Sequence, residues 1–256
     1  SLRGGTGFLP PTITSVEDTG LPALWLQDLA LKILYSQGYL SGFKVAEELA
    51  LPFAGVTDKI LAELKKEKLV EIKSAQQSGL GSSSYLYAMT SKGNERAQEA
   101  MARSQYAGAA PVPIETYNNA VRNQSQGRVV VTSRSMRQLM SQLVLSENTF
   151  QRLGPALNSG ASIFLYGPPG NGKTSIARSF GNLVMSQNMY IPYALYVDGQ
   201  VIKMYDSVNH QLVKEEGVTK RGTGSLKTGI RRDPRWVKIR RPFIVVGGEL
   251  TLEGLD

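Results

Sequence analysis

Apolar residues in the N-terminal part of the chain recur at the three- and four-residue spacing of amphipathic helices. The first helix is predicted over Leu21–Tyr35. The second is predicted over Ser41–Ala50 with Ser41 as its N-cap, and Pro52 opens a third. Three short helices in succession, each with one apolar stripe, predict a small helical core.

An alternation of apolar and polar residues follows these helices. LVEIKS at 69–74 and SYLYAMT at 84–90 predict the two strands of a hairpin, and a last helix is predicted over Ser91–Tyr106. Three helices, a hairpin and a closing helix resemble the winged helix-turn-helix domain over residues 19–106, behind a Pro- and Gly-rich leader at 1–18. The resemblance rests on element order and implies a small α+β domain.

A winged helix usually implies DNA binding through its third helix. A surface that contacts phosphates needs uncompensated cations, however, because counterion release supplies most of the affinity. The third helix mixes both signs, and the turn between the predicted strands contains no cation. Docking of a protein partner is therefore the favoured interpretation, and DNA binding is the alternative. The charged residues of the helix are Lys59, Lys65, Lys66 and Lys68 against Asp58, Glu63 and Glu67.

Residues 107–130 are small, polar and interrupted by proline, so we predict a linker there, with at most one or two helical turns. Two helices are predicted next, over Ser133–Leu145 and Glu147–Leu157. They lead to Ile163–Tyr166, an apolar run typical of a buried strand. This order of elements predicts a second, α/β domain after the linker.

The sequence GPPGNGKT at 167–174 has the spacing of a P-loop, G-x-x-x-x-G-K-[ST], between a predicted strand and a predicted helix. The glycines allow backbone N–H groups to turn toward phosphate oxygens, and the helix N-terminus adds its positive end. Lys173 is placed to reach the β- and γ-phosphates, and the Thr174 hydroxyl to ligate Mg²⁺. The predicted binding residues are Gly167, Pro168, Pro169, Gly170, Asn171, Gly172, Lys173, Thr174 and Ser175.

The P-loop and its preceding segment LVLSENTFQRLGPALNSG resemble the start of an AAA+ ATPase module. The resemblance, to bacterial AAA-type ATP-binding proteins, implies an α/β P-loop nucleotide-binding domain at 131–256, the cofactors ATP and Mg²⁺, and Lys173 as a catalytic residue. It also implies a homo-oligomeric ring in the complete protein and hydrolysis that changes the conformation of a partner. In that family the residues before the first helix line the adenine pocket. Leu143, Val144 and Leu145 are therefore candidates, with ordinary core packing as the alternative.

P-loop ATPases place an acid at the end of a second buried strand, where it organises Mg²⁺. The comparable run here is Phe243–Val246, which continues as Gly247-Gly248-Glu249. Either this motif is degenerate and Glu249 acts as the catalytic acid alone, or the acidic strand follows Asp256. We favour the second alternative and expect the chain to be the front part of a longer ATPase.

Another hairpin is predicted over 190–206, because Asp198-Gly199 is a strong two-residue turn signal between alternating segments. His210 lies in the loop that follows and could contact nucleotide or a neighbouring subunit. A lone loop histidine is more often structural, so we assign His210 no catalytic role.

Positive charge is concentrated in one segment. The chain has 29 Lys and Arg against 21 Asp and Glu, and residues 220–241 hold nine of these cations and one acid, whereas 1–106 are neutral. One hypothesis is nucleic-acid contact, with Trp236 stacking on a base. The others are a pore or inter-subunit loop of a ring, and a solvated loop before an edge strand in which Trp236, Val237 and Ile239 pack. The candidate phosphate contacts are Arg231, Arg232, Arg235, Arg240 and Arg241.

Composition removes several classes of site. The chain has no cysteine and one histidine, which excludes disulfides, thiolate catalysis and Cys- or His-rich metal centres. No apolar run approaches the ~20 residues of a membrane span, and no secretory signal is recognisable. We therefore expect a cytoplasmic protein with no membrane partner. The ligand that we expect from the P-loop motif is ATP or ADP.

Overall fold

The N-terminal part of the chain is built around one helix that is buried on most sides. The computed structural model describes residues 8–75, 81–125, 131–141, 143–159, 163–168, 170–185, 188–213 and 232–242. Its first four helices are α1 (Ala23–Gln37), α2 (Gly42–Glu48), α3 (Asp58–Lys66) and α4 (Ser91–Arg103). Leu26, Leu29 and Leu34 of α1 are completely buried because the other three helices contact it. Even Lys32 is buried, and this lowers its pKa; its ammonium group donates to the Ser104 carbonyl at 3.1 Å.

The helices predicted from the apolar spacing are confirmed here, with shifts at their ends. Ser41 is confirmed as the cap of α2, since its Oγ accepts a hydrogen bond from the Lys44 amide at 3.2 Å. Helix α3 begins later than expected, because Phe53–Thr57 form a turn in which Gly55 has a φ of 82°. A Cβ at Gly55 would collide with the Thr14 carbonyl oxygen, so glycine is required at this entry to α3.

The predicted hairpin is also confirmed, as β2 (Val70–Ala75) and β3 (Tyr85–Met89). A strand that the sequence did not indicate, β1 (Tyr39–Ser41), pairs antiparallel with the other edge of β3, which gives the order β1-β3-β2. Tyr87 of β3 lies opposite Leu40 and Ile72, the residues of its two neighbours. At three residues, β1 is too short to show an alternation.

The segment expected to be a linker is folded over most of its length. It contains β4 (Val112–Pro113) and α5 (Ile114–Ser125), a helix of 12 residues. The Ala110 amide donates to the Leu49 carbonyl at 2.8 Å, and Val112 and Ala120 are completely buried. The small residues that suggested a linker therefore permit close packing against the N-terminal core.

Four more strands complete two further small sheets. β6 (Ala194–Val197) and β7 (Gln200–Lys203) form an antiparallel hairpin around Asp198 and Gly199, and β4 adds parallel to β6. Both turn residues have positive φ, 48° and 83°, as the two-residue Asp-Gly signal requires. β5 (Asn188–Pro192) does not join this hairpin, as the prediction over 190–206 would require; it pairs antiparallel with β8 (Trp236–Arg240).

The residues around the predicted P-loop form a unit with its own apolar cluster. Its helices are α6 (Ser133–Leu139), α7 (Glu147–Ser159) and α8 (Lys173–Met185), so the helix predicted to reach Leu145 ends earlier. The buried members of the cluster are Val131, Met136, Met140, Phe150, Leu153 and Ile176. The cluster shares no residue with the core around α1 or with the aromatic cluster of Val112, Ala120, Tyr190 and Trp236.

One side-chain amide joins the two ends of this unit. Gln124, at the end of α5, accepts a hydrogen bond from the Tyr190 amide of β5 at 2.6 Å. Its Nε2 donates to the Tyr190 carbonyl at 3.0 Å. The chain therefore leaves for the P-loop unit and returns from it at one point.

A buried ion pair connects the C-terminal strands to the N-terminal part. The side chains of Asp233 and Arg235 are 0% and 2% exposed, and their Oδ2 and Nη2 atoms are 3.0 Å apart. Nη1 of Arg235 donates to the Thr19 carbonyl at 2.8 Å and to the Pro111 carbonyl at 2.9 Å. The Asp233 amide donates to the Pro11 carbonyl at 2.8 Å. Three separate segments thus converge on this pair.

Within the described residues, no helix combines the length and apolar character needed to cross a bilayer.

Replacing Arg235 with methionine should lower the free energy of unfolding by about 3–5 kcal/mol, because the Asp233 carboxylate would remain buried without a counter-ion. Urea unfolding followed by circular dichroism measures this loss. The double variant Asp233→Asn with Arg235→Met should lose less than the sum of the two single variants, since it leaves no unpaired charge.

Arg240→Met is the matched control, because Arg240 lies on β8 but is exposed. Its effect should stay within about 0.5 kcal/mol, as for ordinary surface substitutions. Equal effects of Arg235→Met and Arg240→Met would show that the buried pair contributes nothing to stability.

Candidate functional site

Three glycines of the glycine-rich loop have backbone conformations that favour glycine. Gly167, Gly170 and Gly172 have φ values of 143°, 83° and 73°, which side-chain-bearing residues rarely adopt. A Cβ on any of the three would have no described atom within 4 Å, so these glycines are needed for conformation and not for space. Pro169 lies outside the described residues.

Lys173 holds its ammonium group over the beginning of the loop. Its Nζ donates to the Gly167 carbonyl at 2.9 Å and to the Pro168 carbonyl at 2.7 Å. Because the side chain folds back from the first residue of α8, its positive charge lies against the first two residues of the loop.

The N-terminus of α8 adds backbone donors at the same place. The Ile176 amide donates to the Gly172 carbonyl at 2.9 Å, so the amides of Thr174 and Ser175 belong to the first turn, which has no intrahelical acceptors. The side chains of Asn171, Thr174 and Ser175 are exposed. The first-turn amides of α8 and the nearby ammonium group together favour an anion at this helix N-terminus.

The prediction of a buried strand before the loop is wrong. Ile163–Tyr166 has no regular secondary structure, and Phe164 and Tyr166 are each 85% exposed, with their rings stacked 6.1 Å apart. A buried parallel strand needs neighbours to pair with, and no strand of the described residues pairs with this segment. Leu165 alone packs into the cluster of the P-loop unit.

The three residues predicted to line an adenine pocket have different surroundings. Leu143 and Leu145 pack on the same cluster as Ile176 and Phe180 of α8, whereas the Val144 side chain is fully exposed. Leu143 and Leu145 therefore lie on the unit that carries the loop, and Val144 contributes to no enclosed surface among the described residues. Glu249, the candidate catalytic acid, and the run Phe243–Val246 fall outside the described part of the chain.

Two members of the basic segment are in the interior, contrary to the nucleic-acid hypothesis. Arg235 is buried in its pair with Asp233 and cannot reach a phosphate without breaking that pair. Trp236 is 6% exposed and lies 5.1 Å from the ring of Phe8, so it offers no face for a base. The packing expected for Trp236 and Ile239 in the third hypothesis is confirmed, although Arg235 is buried and does not belong to a solvated loop.

The other candidate phosphate contacts have different surroundings. Nη1 of Arg232 donates to the Tyr190 hydroxyl at 2.6 Å, and its guanidinium lies 5.8 Å from the centre of that ring. Arg240 and Arg241 are exposed, and Arg231 falls outside the described ranges.

His210 has a local structural role. Its Nδ1 accepts a hydrogen bond from the Asp206 amide at 3.0 Å, and its ring stacks on Tyr205 at 5.9 Å. Asp206 in turn accepts from the Val208 amide and the Asn209 side chain, and these bonds lower its pKa. The residues form a closed turn.

Sequence reasoning missed the pairing of Asp233 with Arg235. The available signal was weak: Asp233 is the one acid among the nine cations of 220–241, and it precedes a proline. Their carbonyl partners, Thr19 and Pro111, are more than a hundred residues away in sequence. No local pattern reports contacts of that separation.

No protein-family model matches the chain, and no curated protein or solved structure matches it either. Its function has to be inferred from the chemistry of its own residues.

Replacing Gly172 with alanine should destabilise α8 by about 1 kcal/mol, because alanine is strained at a φ of 73°. Amide hydrogen exchange of α8 measures this loss. Arg178→Ala, at an exposed position of the same helix, is the control and should stay within about 0.5 kcal/mol. Equal effects of the two variants would contradict the strain at residue 172.

Proposed function

We propose that the chain binds ATP with Mg²⁺ through the loop at 167–174. The observation that carries this proposal is the combination of three glycines at positive φ with a lysine ammonium fixed 2.7–2.9 Å from the loop carbonyls at the start of α8. The residues fit a triphosphate because loop and helix amides supply donors that converge on one anionic group. Lys173 adds the compensating charge.

Each residue has a definite part in this proposal. Lys173 exchanges its carbonyl partners for β- and γ-phosphate oxygens, and the exposed Thr174 hydroxyl ligates the metal. Mg²⁺ usually keeps several waters and binds through few protein ligands plus substrate phosphates, so one hydroxyl is a sufficient protein contribution. When bound, the metal neutralises charge that develops on the transferred phosphoryl group. Leu143 and Leu145 flank the base.

We extend the proposal to ATP hydrolysis that drives movement of a partner, in a cytoplasmic AAA+ type ATPase that assembles into a ring. The support is the resemblance of the loop and its preceding segment to that class, together with the separate apolar cluster of the P-loop unit. A unit with its own apolar core can move relative to the rest of the chain while both parts stay folded. Nucleic-acid binding is the weaker alternative, because Arg235 and Trp236 are buried.

Replacing Lys173 with alanine should weaken binding of fluorescent mant-ATP by about 10- to 100-fold, the effect of losing a charge-assisted hydrogen bond. Fluorescence titration in the presence of Mg²⁺ measures the change. Release of inorganic phosphate, assayed in parallel, shows whether bound ATP is hydrolysed or only held; turnover by wild type should disappear in the same variant.

Arg178→Ala is the matched control, since Arg178 is an exposed cation of the same helix beyond the first turn. It should leave the affinity for mant-ATP unchanged. Wild-type affinity in Lys173→Ala, or an equal loss in Arg178→Ala, would exclude the loop as the nucleotide site. Binding without phosphate release would support a nucleotide-dependent interaction module.

A further inference from the structure

A groove of about 370 Å³ lies between α3 and the β2–β3 hairpin, far in sequence from the P-loop. Its floor is apolar and aromatic: Leu61 of α3 and Tyr87 of β3 are buried, and Ile72 and Tyr85 are half-buried. Small binding sites in proteins are typically apolar concavities of this size with a few polar groups at the edge. The floor therefore suits an apolar side chain.

Two lysines line this groove, and they differ from two neighbouring lysines outside it, Lys66 and Lys73. Lys59 and Lys65 are exposed, and neither belongs to an ion pair among the described residues. Lys66 and Lys73, by contrast, are paired with Glu63 at 3.3 Å and with Glu71 at 2.6 Å. Glu63 and Glu71 thus neutralise Lys66 and Lys73, whereas neither Lys59 nor Lys65 has a carboxylate within ion-pair distance among the described residues.

The groove also contains one acid, and this acid is already engaged. The Oδ1 of Asp58 accepts the Lys59 amide at 2.7 Å, at the start of α3, where a negative charge offsets the helix dipole. Asp58 therefore stabilises the helix that carries both lysines. The edge of the groove remains positive.

The hairpin wall is held in place by close backbone approach. A Cβ at Gly42 of α2 would lie 2.8 Å from the Phe53 ring, 3.0 Å from the Ser82 carbonyl and 3.2 Å from the Tyr87 ring. Glycine at this position lets the residues before β3 pack directly on α2. A wall fixed in this way needs little reordering when a ligand binds, which favours affinity.

We propose that this groove docks a protein segment in which acidic side chains flank an apolar one. The apolar side chain lies on Leu61, Ile72 and the two tyrosine rings, and the carboxylates pair with Lys59 and Lys65. Duplex nucleic acid is disfavoured, because Glu63, Glu67 and Glu71 lie on α3, at its end and on β2, next to any phosphate that the lysines could contact. Charge complementarity selects an acidic partner and excludes basic ones. The proposal does not depend on nucleotide binding at the P-loop.

A random 12-residue peptide library displayed on phage and selected on the immobilised full chain tests this proposal. Enriched sequences should carry at least two Asp or Glu residues around a Leu, Met, Phe or Tyr. Recovery of these clones should fall by about tenfold or more on the variant Lys59→Glu with Lys65→Glu, since attraction becomes repulsion at the edge of the groove.

The matched control is Lys66→Glu with Lys73→Glu, which makes the same change of charge outside the groove, on α3 and on the neighbouring strand β2. It should keep the recovery within about threefold, because partly screened surface charges away from a contact matter little. Circular dichroism melting curves establish that both variants fold. Three outcomes would overturn the proposal: no enriched sequence, enrichment that Lys59→Glu with Lys65→Glu leaves unchanged, or binding of a 20-base-pair duplex that only this variant loses.

Discussion

The ion pair between Asp233 and Arg235 is the contact on which the arrangement of the chain depends. Burial of two charges costs several kcal/mol each unless nearly every polar atom finds a partner. Here the guanidinium donates to the carboxylate and to the carbonyls of Thr19 and Pro111, while the Asp233 amide donates to the Pro11 carbonyl. Three segments distant in sequence, 11–19, the segment at Pro111 and 233–235, therefore have one geometry in which all these groups are satisfied.

The pair is also bonded to the strands beside it. Tyr193 lies between the end of β5 and the start of β6, and its amide donates to the Arg235 carbonyl at 2.9 Å. The residue that carries the buried charge thus also holds the connection between those two strands. Arg235 binds the Thr19 carbonyl at the end of a short helical turn, where a cation complements the dipole. An apolar residue of similar size could fill the space, but it would satisfy neither carbonyl.

Prediction from sequence succeeded where structure is local. The Ser41 cap and the Asp198-Gly199 turn depend on neighbouring residues, and both are confirmed. Prediction failed where long-range contacts decide. Ala110 looked like linker because nothing in its neighbourhood shows that Leu49 would bind it, and Phe164 looked buried because its apolar pattern assumes strands on both sides. Arg235 was expected to be exposed because it is charged, and no other local signal indicated that it would be buried.

The P-loop unit is attached to the rest of the chain through long-range contacts of β5. Gln124 binds both backbone groups of Tyr190, and β8 binds the other edge of β5, so the strand that leaves the unit is fixed on two sides. Helix α8 starts at Lys173 and ends at Met185, three residues before β5. The shortest path along the chain from the loop to β5 is therefore helix α8 and a short connection.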